Sequence, residues 1–322
     1  MLVKIDLITG FLGSGKTTFI KKYARYLMEQ GENIGILEND FGAVNVDMML
    51  LQDVMGEQCE LEMVAGGCDY DCHKRRFKTK LISMGMCGYD RVLVEPSGIY
   101  DVDEFFDVLH EEPLDRWYEI GNVIAIVDAS LETTMSKQAE YLLASQVSRA
   151  GKVVLSRSQA ATKEKINETV TRLNLALEQF QCKRKISENV FCKEWGQMDQ
   201  SDFADISSCG YTDDFMTKLW FEQENAFDSL YFMNVDLSKQ QLKDAVKHLF
   251  ADRSCGDVFR VKGFLKDTDN QWMELNATPK EITLQPISPG QEVLIVIGEG
   301  LVEEKINAYW KDITVENHEQ LE

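Results

Sequence analysis

The sequence has no apolar run long enough to span a membrane. A spanning helix needs about 20 consecutive apolar residues, and no stretch of the 322 residues approaches that length. We expect no N-terminal leader, because a glycine-rich loop begins at residue 10 and leaves no room for a signal peptide before the first core strand. A cytoplasmic protein that does not bind membranes is therefore expected.

Positive charge is also scarce. The chain has 34 Lys and Arg residues against 54 Asp and Glu residues, a formal net charge of −20 at pH 7. Such a protein repels phosphate backbones, so we expect no nucleic-acid partner. The eight cysteines have no secretory context. They are therefore expected to be reduced thiols that pack in the core or bind metal, rather than a disulfide framework.

A glycine-rich motif at residues 10–18 predicts a phosphate-binding loop. An apolar strand at residues 4–8 precedes it, and a helical stretch at residues 19–30 follows it. Glycines let backbone N–H groups curl around phosphate oxygens, and the following helix directs its positive end towards the same anion. In this motif the lysine reaches the β and γ phosphates, and the next residue offers its hydroxyl to Mg²⁺. The predicted nucleotide-binding residues here are Gly10, Gly13, Ser14, Gly15, Lys16, Thr17 and Thr18.

Apolar strands alternate with helical segments after this loop. The pattern predicts an α/β fold, in which a mostly parallel sheet is covered on both faces. Helical periodicity is clear at residues 72–87 and 163–180. The second to sixth predicted strands lie at residues 34–37, 61–64, 91–94, 123–127 and 153–155. In such sheets ligands bind outside the carboxyl ends of the strands, so the residues after each strand are candidates for the site.

Carboxylates follow the second and fourth predicted strands. Glu95 ends the fourth strand and precedes Gly98 by three residues. A carboxylate beside a phosphate loop can hold Mg²⁺ directly or through water, and a glycine N–H can contact the γ-phosphate. Asp40 and Asp47 follow the second strand, in a segment that we expect to close over the phosphates as a switch. The predicted catalytic residues are Lys16, Asp40, Asp47 and Glu95, and the predicted Mg²⁺ ligands are Thr17 and Glu95.

The chain length predicts two domains, because single cores usually divide at roughly 250–300 residues. We place a nucleotide-binding domain at residues 1–222 and a small α+β domain at residues 223–322. The second domain has predicted strands at residues 229–235, 257–265, 272–275, 282–284 and 292–297, and helices at 238–250 and 300–310. It shows no catalytic constellation. We therefore expect it to dock partners or to respond to the nucleotide state.

Several motifs occur along the chain in a characteristic order. They are residues 10–18, residues 39–42 with Asp47, a Gly-Gly-Cys loop at 66–68, and residues 95–98, 127–129 and 257–265. In this order they resemble the CobW-like branch of the CobW/HypB/UreG family of P-loop GTPases. The last segment looks like the R-x-K-G strand of the CobW C-terminal domain. The resemblance covers nearly the whole chain.

This resemblance implies a function. Family members bind GTP and Mg²⁺, and many form homodimers. They deliver metals such as zinc, nickel or cobalt, or they service cobalamin enzymes. The resemblance thus implies a nucleotide switch whose partner is a client metalloprotein or a cobalamin or corrinoid enzyme. Two alternatives remain open: a chaperone-like switch for such an enzyme that carries no metal itself, and a P-loop kinase that phosphorylates a small molecule.

The cysteine loop departs from the family pattern. The family's metal motif is usually Cys-x-Cys-Cys, whereas this chain has Cys68 and Cys72 four residues apart and His73 next to the second. We predict a Zn²⁺ or Co²⁺ site at these three residues, with Asp69 or Asp71 as a further ligand, because zinc accepts sulfur, nitrogen and oxygen ligands. The alternative is that these cysteines pack or act in redox chemistry.

The guanine-recognition motif departs as well. GTPases of this type place Asn-Lys-x-Asp after the sixth strand, whereas this chain has Ser156, Arg157, Ser158 and Gln159. We predict that Arg157 stacks on the base and that the Gln159 amide oxygen accepts one guanine hydrogen bond. A neutral amide is a weaker acceptor than a carboxylate. The preference for GTP over ATP is therefore expected to be small.

Overall fold

The computed structural model describes residues 2–40, 50–65, 70–131, 135–187, 190–214, 216–217, 228–266, 270–287 and 292–311. The chain divides into two compact units, Met1–Leu219 and Trp220–Glu322. Each unit has its own sheet and its own apolar core. The predicted domain boundary after residue 222 lies outside the described residues and stays a prediction. No helix in the described ranges is long and apolar enough to cross a membrane.

A parallel sheet organises the first unit. Its described strands are β1 (Val3–Thr9), β2 (Ile34–Asp40), β3 (Cys59–Ala65), β4 (Arg91–Pro96), β5 (Tyr118–Asp128), β6 (Lys152–Ser156) and β7 (Val190–Phe191). In the described part of the chain they lie in the order β3-β2-β4-β1-β5-β6-β7, and the pairings are parallel. The carboxyl ends of all these strands therefore meet at one edge, which confirms the predicted α/β fold.

Helices connect and cover these strands. They are α1 (Lys16–Glu29), α2 (Tyr70–Met84), α3 (Val102–Leu109), α4 (Lys137–Ser148), α5 (Lys163–Gln179) and α6 (Gln200–Ile206). Four of them begin at a polar side chain that accepts a hydrogen bond from a backbone N–H of the first turn: Asp101 for α3, Ser136 for α4, Thr162 for α5 and Asp199 for α6. Such caps satisfy N–H groups that have no partner within the helix, so they determine where each helix begins.

The central strands are buried on both faces. Every residue of β4 is buried, and in β1 only Lys4 is exposed. This explains why the central strands read as nearly continuous apolar runs rather than as alternating patterns. On one face, Phe19, Tyr23 and Leu27 of α1 join the apolar core that β2 and β4 help to form.

The second unit is an antiparallel sheet with a helix packed on it. Its described strands are β8 (Asp228–Phe232), β9 (Asp257–Lys266), β10 (Trp272–Ala277), β11 (Ile282–Pro286) and β12 (Val293–Glu299), in the order β11-β10-β9-β12-β8. Helix α7 (Lys239–Ala251) contributes its apolar side to the core, and the short α8 is Glu303–Ala308. This is the predicted α+β composition.

Two strands of the first unit differ from the sequence-based prediction. Strand β5 begins at Tyr118, five residues before the predicted start at residue 123, because the polar Asn122 is buried in the sheet by hydrogen bonds to Asp6. Strand β7 has only two residues and lies outside the predicted strands. Two residues are too few for an alternating pattern to emerge.

Candidate functional site

The phosphate loop follows β1 and leads directly into α1. Gly10 has a φ of +149°, and a Cβ placed there would lie 2.2 Å from the carbonyl oxygen of Ile126. Gly15 has a φ of +99° and precedes the first residue of α1. Both positions therefore require glycine. Lys16 is buried, and its Nζ donates to the carbonyl oxygen of Gly10 at 3.1 Å, which closes the loop on itself.

A hydroxyl and a carboxylate meet beside this loop. The Thr17 Oγ1 donates to Glu95 Oε1 at 2.9 Å, although the two residues are 78 apart in sequence. The contact arises because β4, which carries the buried Glu95, is the neighbour of β1 in the sheet. The structure thus brings together the two residues predicted to hold Mg²⁺. A hydroxyl and a carboxylate oxygen are hard oxygen donors of the kind that Mg²⁺ prefers.

Buried polar atoms at the same edge suit a polar ligand. The side chains of Ser14 and Asn39 are 3% and 1% exposed. Within the described ranges, no hydrogen-bond partner is found for Ser14 Oγ or for either amide atom of Asn39. A buried polar group without a partner costs about 1–3 kcal/mol. Phosphate oxygens or metal-bound water at this edge would offset that cost, so the residues fit a nucleotide with Mg²⁺.

The segment after β4 packs on the phosphate loop. A Cβ at Gly98 would lie 2.7 Å from the backbone nitrogen of Leu12, so only glycine allows this close approach. The Gln146 Nε2 donates to the carbonyl oxygen of Gly98 at 2.9 Å, and Gln146 is fully buried. Gln146 orients the Gly98 peptide, and no motif in the sequence indicated this residue.

Helix α4 holds the continuation of that segment. The Ser145 hydroxyl donates to Asp101 Oδ1 at 2.7 Å, and the Tyr141 hydroxyl lies 3.3 Å from Asp101 Oδ2. Arg149 forms an ion pair with Asp103 at 3.2 Å. The chain between Glu95 and α3 is therefore anchored on one helix by several side chains.

Residues 156–159, which the sequence predicts to contact the nucleotide base and which we call the base loop, lie beside the phosphate loop. Arg157 adopts a left-handed conformation with φ 54°. Its Nη1 donates to Asp128 Oδ2 at 2.9 Å and to the carbonyl oxygen of Gly13 at 3.1 Å. Ser156 is buried and Gln159 is exposed. The structure brings Ser156 and Arg157 to the phosphate loop, while stacking of Arg157 on the base and recognition of guanine by Gln159 stay predictions.

Trp195 is a neighbour of this loop that the sequence analysis missed. Its indole Nε1 donates to the carbonyl oxygen of Leu155 at 3.0 Å, and its ring would lie 3.4 Å from a Cβ at Gly15. The ring also packs edge-on against Phe19. Trp195 follows the two-residue strand β7, and no signal in the sequence linked this position to the phosphate loop.

The predicted metal ligands are only partly described. Cys68 and Asp69 lie outside the described residues, as does Asp47, and of Asp40 only the strand position is described. The remaining candidates lie in α2, where His73 is buried, Cys72 is partly exposed and Asp71 is exposed. No group of three His, Cys, Asp or Glu side chains that could hold a metal is found within the described ranges. The Zn²⁺ or Co²⁺ site stays a prediction.

Proteins similar in sequence share the nucleotide-binding part of the chain. The family model described as "CobW/HypB/UreG, nucleotide-binding domain" matches residues 4–187. The zinc chaperone YjiA of Escherichia coli (strain K12) is 30% identical over 184 residues, 53% of this chain and 55% of that protein. The zinc-regulated GTPase metalloprotein activator 1 of Schizosaccharomyces pombe is 23% identical over 219 residues, 65% of this chain and 50% of that protein. The chain spans about half the length of the curated relatives that it matches.

Many solved structures are similar to this chain, among them those of a GTPase and of a maturation factor. The Zn(II)-bound YjiA GTPase from E. coli is 16% identical to this chain, with a TM-score of 0.38. The alignment covers 96% of this chain and 98% of the YjiA chain. The hydrogenase maturation factor HypB from Archaeoglobus fulgidus is 15% identical, with a TM-score of 0.40, and its alignment covers 63% of this chain and 86% of the HypB chain.

Proposed function

This chain belongs to the CobW/HypB/UreG family, and from that premise we propose that it is a Mg²⁺-dependent nucleoside triphosphatase. It hydrolyses GTP slowly, accepts ATP, and acts as a nucleotide switch in metal delivery or in the maturation of a metallocofactor enzyme. The observation that carries the proposal is the 2.9 Å contact between Thr17 Oγ1 and Glu95 Oε1. This contact supports the proposal because a phosphate-loop hydroxyl and a strand-end carboxylate that lie this close could both ligate one cation.

Several residues of the chain have separate roles in the proposed hydrolysis. Lys16 exchanges its bond to the Gly10 carbonyl for the β and γ phosphates, and the backbone N–H groups of the loop bind the same oxygens. When bound, Mg²⁺ neutralises part of the charge that develops on the phosphates. Glu95 orients the Thr17 hydroxyl. Gln146 holds the carbonyl of Gly98, and we expect the Gly98 N–H to contact the γ-phosphate.

A switch in metal delivery requires that nucleotide and metal affect each other's binding. We expect the affinity for Zn²⁺ or Co²⁺ to change about 5–150-fold when a non-hydrolysable GTP analogue is bound, the usual range of coupling between sites. The coupling is expected because residues 66–73, which carry the predicted metal ligands, follow the carboxyl end of β3, and the phosphate loop follows the carboxyl end of β1 at the same edge of the sheet. Metal titrations followed by competition with a chromogenic chelator, with and without the analogue, measure it.

Two variants make the titration specific. Cys72→Ala is expected to weaken metal binding, whereas Cys87→Ala, which removes an exposed cysteine just after the same helix, is the matched control and should leave it unchanged. Equal metal affinities with and without nucleotide, or no effect of Cys72→Ala, would contradict metal delivery. That outcome would favour a switch for a cobalamin or corrinoid enzyme that carries no metal itself.

The base loop predicts a weak preference for GTP. Replacing a carboxylate by an amide removes a charged hydrogen bond of about 1.5–3 kcal/mol, which corresponds to roughly ten- to a hundredfold in affinity. Gln159→Asp is therefore expected to shift the preference towards GTP by about that factor. Competition binding of GTP and ATP to both proteins measures the shift.

Gln159→Asn is the matched control for this change. It has the length of the aspartate variant but keeps a neutral amide, so the preference should stay close to that of the natural protein. If the natural protein already prefers GTP over ATP about a thousandfold, another part of the pocket must recognise guanine. One charged hydrogen bond accounts for a smaller difference in affinity than a thousandfold.

A further inference from the structure

Trp195 lies at the ligand-binding edge of the parallel sheet. Strand β7 pairs in parallel with β6, so the residues that follow β7 lie at the same edge as the base loop, which follows β6. Trp195 comes four residues after Phe191, the last residue of β7. It begins a single turn of 3₁₀ helix, Trp195–Gln197, closed by a hydrogen bond from the Gln197 N–H to the carbonyl oxygen of Glu194. The topology thus gives this indole a fixed place beside the base loop.

The indole ring reaches from the base loop to the phosphate loop. At one end, its Nε1 donates to the carbonyl oxygen of Leu155, the residue before the base loop, at 3.0 Å. At the other end, Cη2 and Cζ3 lie 3.4 Å and 3.5 Å from the position that a Cβ of Gly15 would take. That position is also 3.8 Å from the Cβ of Ser156. The ring therefore lies against the backbone of both loops.

Packing holds the ring in this orientation. The rings of Trp195 and Phe19 meet edge to face, with centroids 5.7 Å apart and planes at 63°, a favourable arrangement of two aromatic rings. Phe19 in turn packs against Phe203 of α6. One part of the indole is thus buried against the core of the first unit, while the side chain as a whole stays partly exposed. A ring that is fixed before a ligand binds loses little conformational freedom on binding.

A nucleotide bound as proposed has to pass this ring. Its phosphates would bind to residues 10–18 and its base beside residues 156–159, so the nucleoside would lie between the two loops that Trp195 contacts. An aromatic side chain can stack on any base, because every base has a π face. Such a contact does not depend on which hydrogen-bond donors and acceptors the base carries.

The composition of the base loop favours a contact of this kind. Residues 156–159 contain no carboxylate, so hydrogen bonds to guanine are weaker than those that a charged acceptor would make. An aromatic contact adds affinity for the nucleoside without distinguishing guanine from adenine. It would therefore allow tight binding together with the weak preference for GTP that the base loop predicts.

We infer that Trp195 binds the nucleoside part of the nucleotide and supplies affinity that is equal for GTP and ATP. The inference rests on the proposed function, because it assigns the residue by which the switch accepts both purine nucleotides. The nucleoside does not change during hydrolysis of the γ-phosphate, so this contact is the same in the ground state and in the transition state. Such uniform binding lowers KM and leaves kcat unchanged.

Binding of three ligands to the full chain tests the inference. Trp195→Ala is expected to weaken the binding of non-hydrolysable analogues of GTP and ATP by about 5–150-fold, the range for loss of one base–aromatic contact. The two losses should agree within about threefold, because stacking does not depend on the identity of the base. Inorganic tripolyphosphate, which has the phosphates but no nucleoside, should bind both proteins equally. Isothermal titration calorimetry in the presence of Mg²⁺ measures all three affinities.

Two further variants separate stacking from packing. Trp195→Leu and Trp195→Phe both fill part of the space of the indole, and both lose the hydrogen bond to Leu155. Because only phenylalanine keeps a π face, Trp195→Phe should bind both nucleotides more tightly than Trp195→Leu. These variants also carry the test if Trp195→Ala unfolds, which circular dichroism detects.

Trp272→Ala is the matched control. It removes the same side chain from β10 of the second unit, where the ring is also partly exposed, and nucleotide affinity should stay unchanged. Hydrolysis gives an independent readout: Trp195→Ala should raise KM for GTP and leave kcat at saturating GTP close to that of the natural protein.

Four results would overturn the inference. They are unchanged nucleotide affinity in Trp195→Ala, an equal loss of tripolyphosphate affinity, equal nucleotide affinities of the leucine and phenylalanine variants, and a loss confined to one of the two nucleotides. An equal loss for tripolyphosphate would show that the ring only supports the phosphate loop. A natural protein that binds or hydrolyses no nucleotide would instead contradict the proposed function, so the two failures are distinguishable.

Discussion

Lys16→Ala is expected to lower kcat for GTP hydrolysis by at least about 10²–10³-fold, the usual cost of removing one group that stabilises transition-state charge. Lys16 is the first residue of α1, and its Nζ already lies within the phosphate loop, 3.1 Å from the Gly10 carbonyl oxygen. Removing it leaves the transferring phosphate without the cation of the loop. Phosphate release under saturating GTP and Mg²⁺ measures the effect, and nucleotide binding should weaken as well.

Lys21→Ala is the matched control for this prediction. Lys21 lies on the same helix and forms a partly exposed ion pair with Asp53 at 2.8 Å. Removing such a pair costs at most about 1 kcal/mol and touches no phosphate, so hydrolysis should be unchanged. Turnover close to the natural rate in a folded Lys16→Ala protein would refute the assigned site.

Arg91→Met is expected to lower the free energy of unfolding of the first unit by about 3–5 kcal/mol, because it leaves a buried charge uncompensated. Arg91 Nη1 lies 2.8 Å from Oδ2 of the fully buried Asp6, and its Nε lies 2.7 Å from Glu32. Tyr23 and Asn122 also donate to Asp6. Burial, and then the charge of Asp6, raises the pKa of Tyr23 well above its ordinary value, so the phenol remains a donor.

Hydrogen exchange of the intact chain in a urea series measures this loss, because peptides from β1 and β4 report on the first unit alone. Arg116→Met is the control: it removes the same side chain from an exposed pair with Glu112 and should cost at most about 1 kcal/mol. Adding Asp6→Asn to Arg91→Met should recover part of the stability, since it removes the unpaired charge. A loss below about 1 kcal/mol for Arg91→Met would show that the network contributes little.

Local patterns were sufficient for the parts of the site that are contiguous in sequence. The phosphate loop could be predicted because its strand, glycines and helix follow one another, and each has a known backbone requirement. Glu95 could be predicted because parallel strands place their carboxyl ends at one edge, whatever their order. The strand order itself, and with it the contact between Glu95 and Thr17, came from the tertiary structure.

Other parts depend on contacts between distant segments. Gln146 is 48 residues from Gly98, and in the sequence it is one glutamine among others on a helix. Trp195 reaches the phosphate loop from a segment whose strand is too short to show a period. Asp6 lies in a strand that we interpreted as apolar, and Asn122 lies one residue before a predicted strand. Only the tertiary structure shows why these polar residues are buried: both Arg91 and Asn122 donate to Asp6.

By itself the sequence determined the α/β class, the second α+β region, the phosphate loop and the family, because these depend on spacings within short segments that any fold must respect. The tertiary structure alone decided that β3 is outermost among the described strands on its side of the sheet, that Glu95 lies beside Thr17, and that Arg157 joins Asp128 to the phosphate loop. These features depend on which strands become neighbours. The order of the strands is set by the packing of the whole core. A single segment contributes only a small part of that packing, so its sequence does not indicate which strands will be its neighbours.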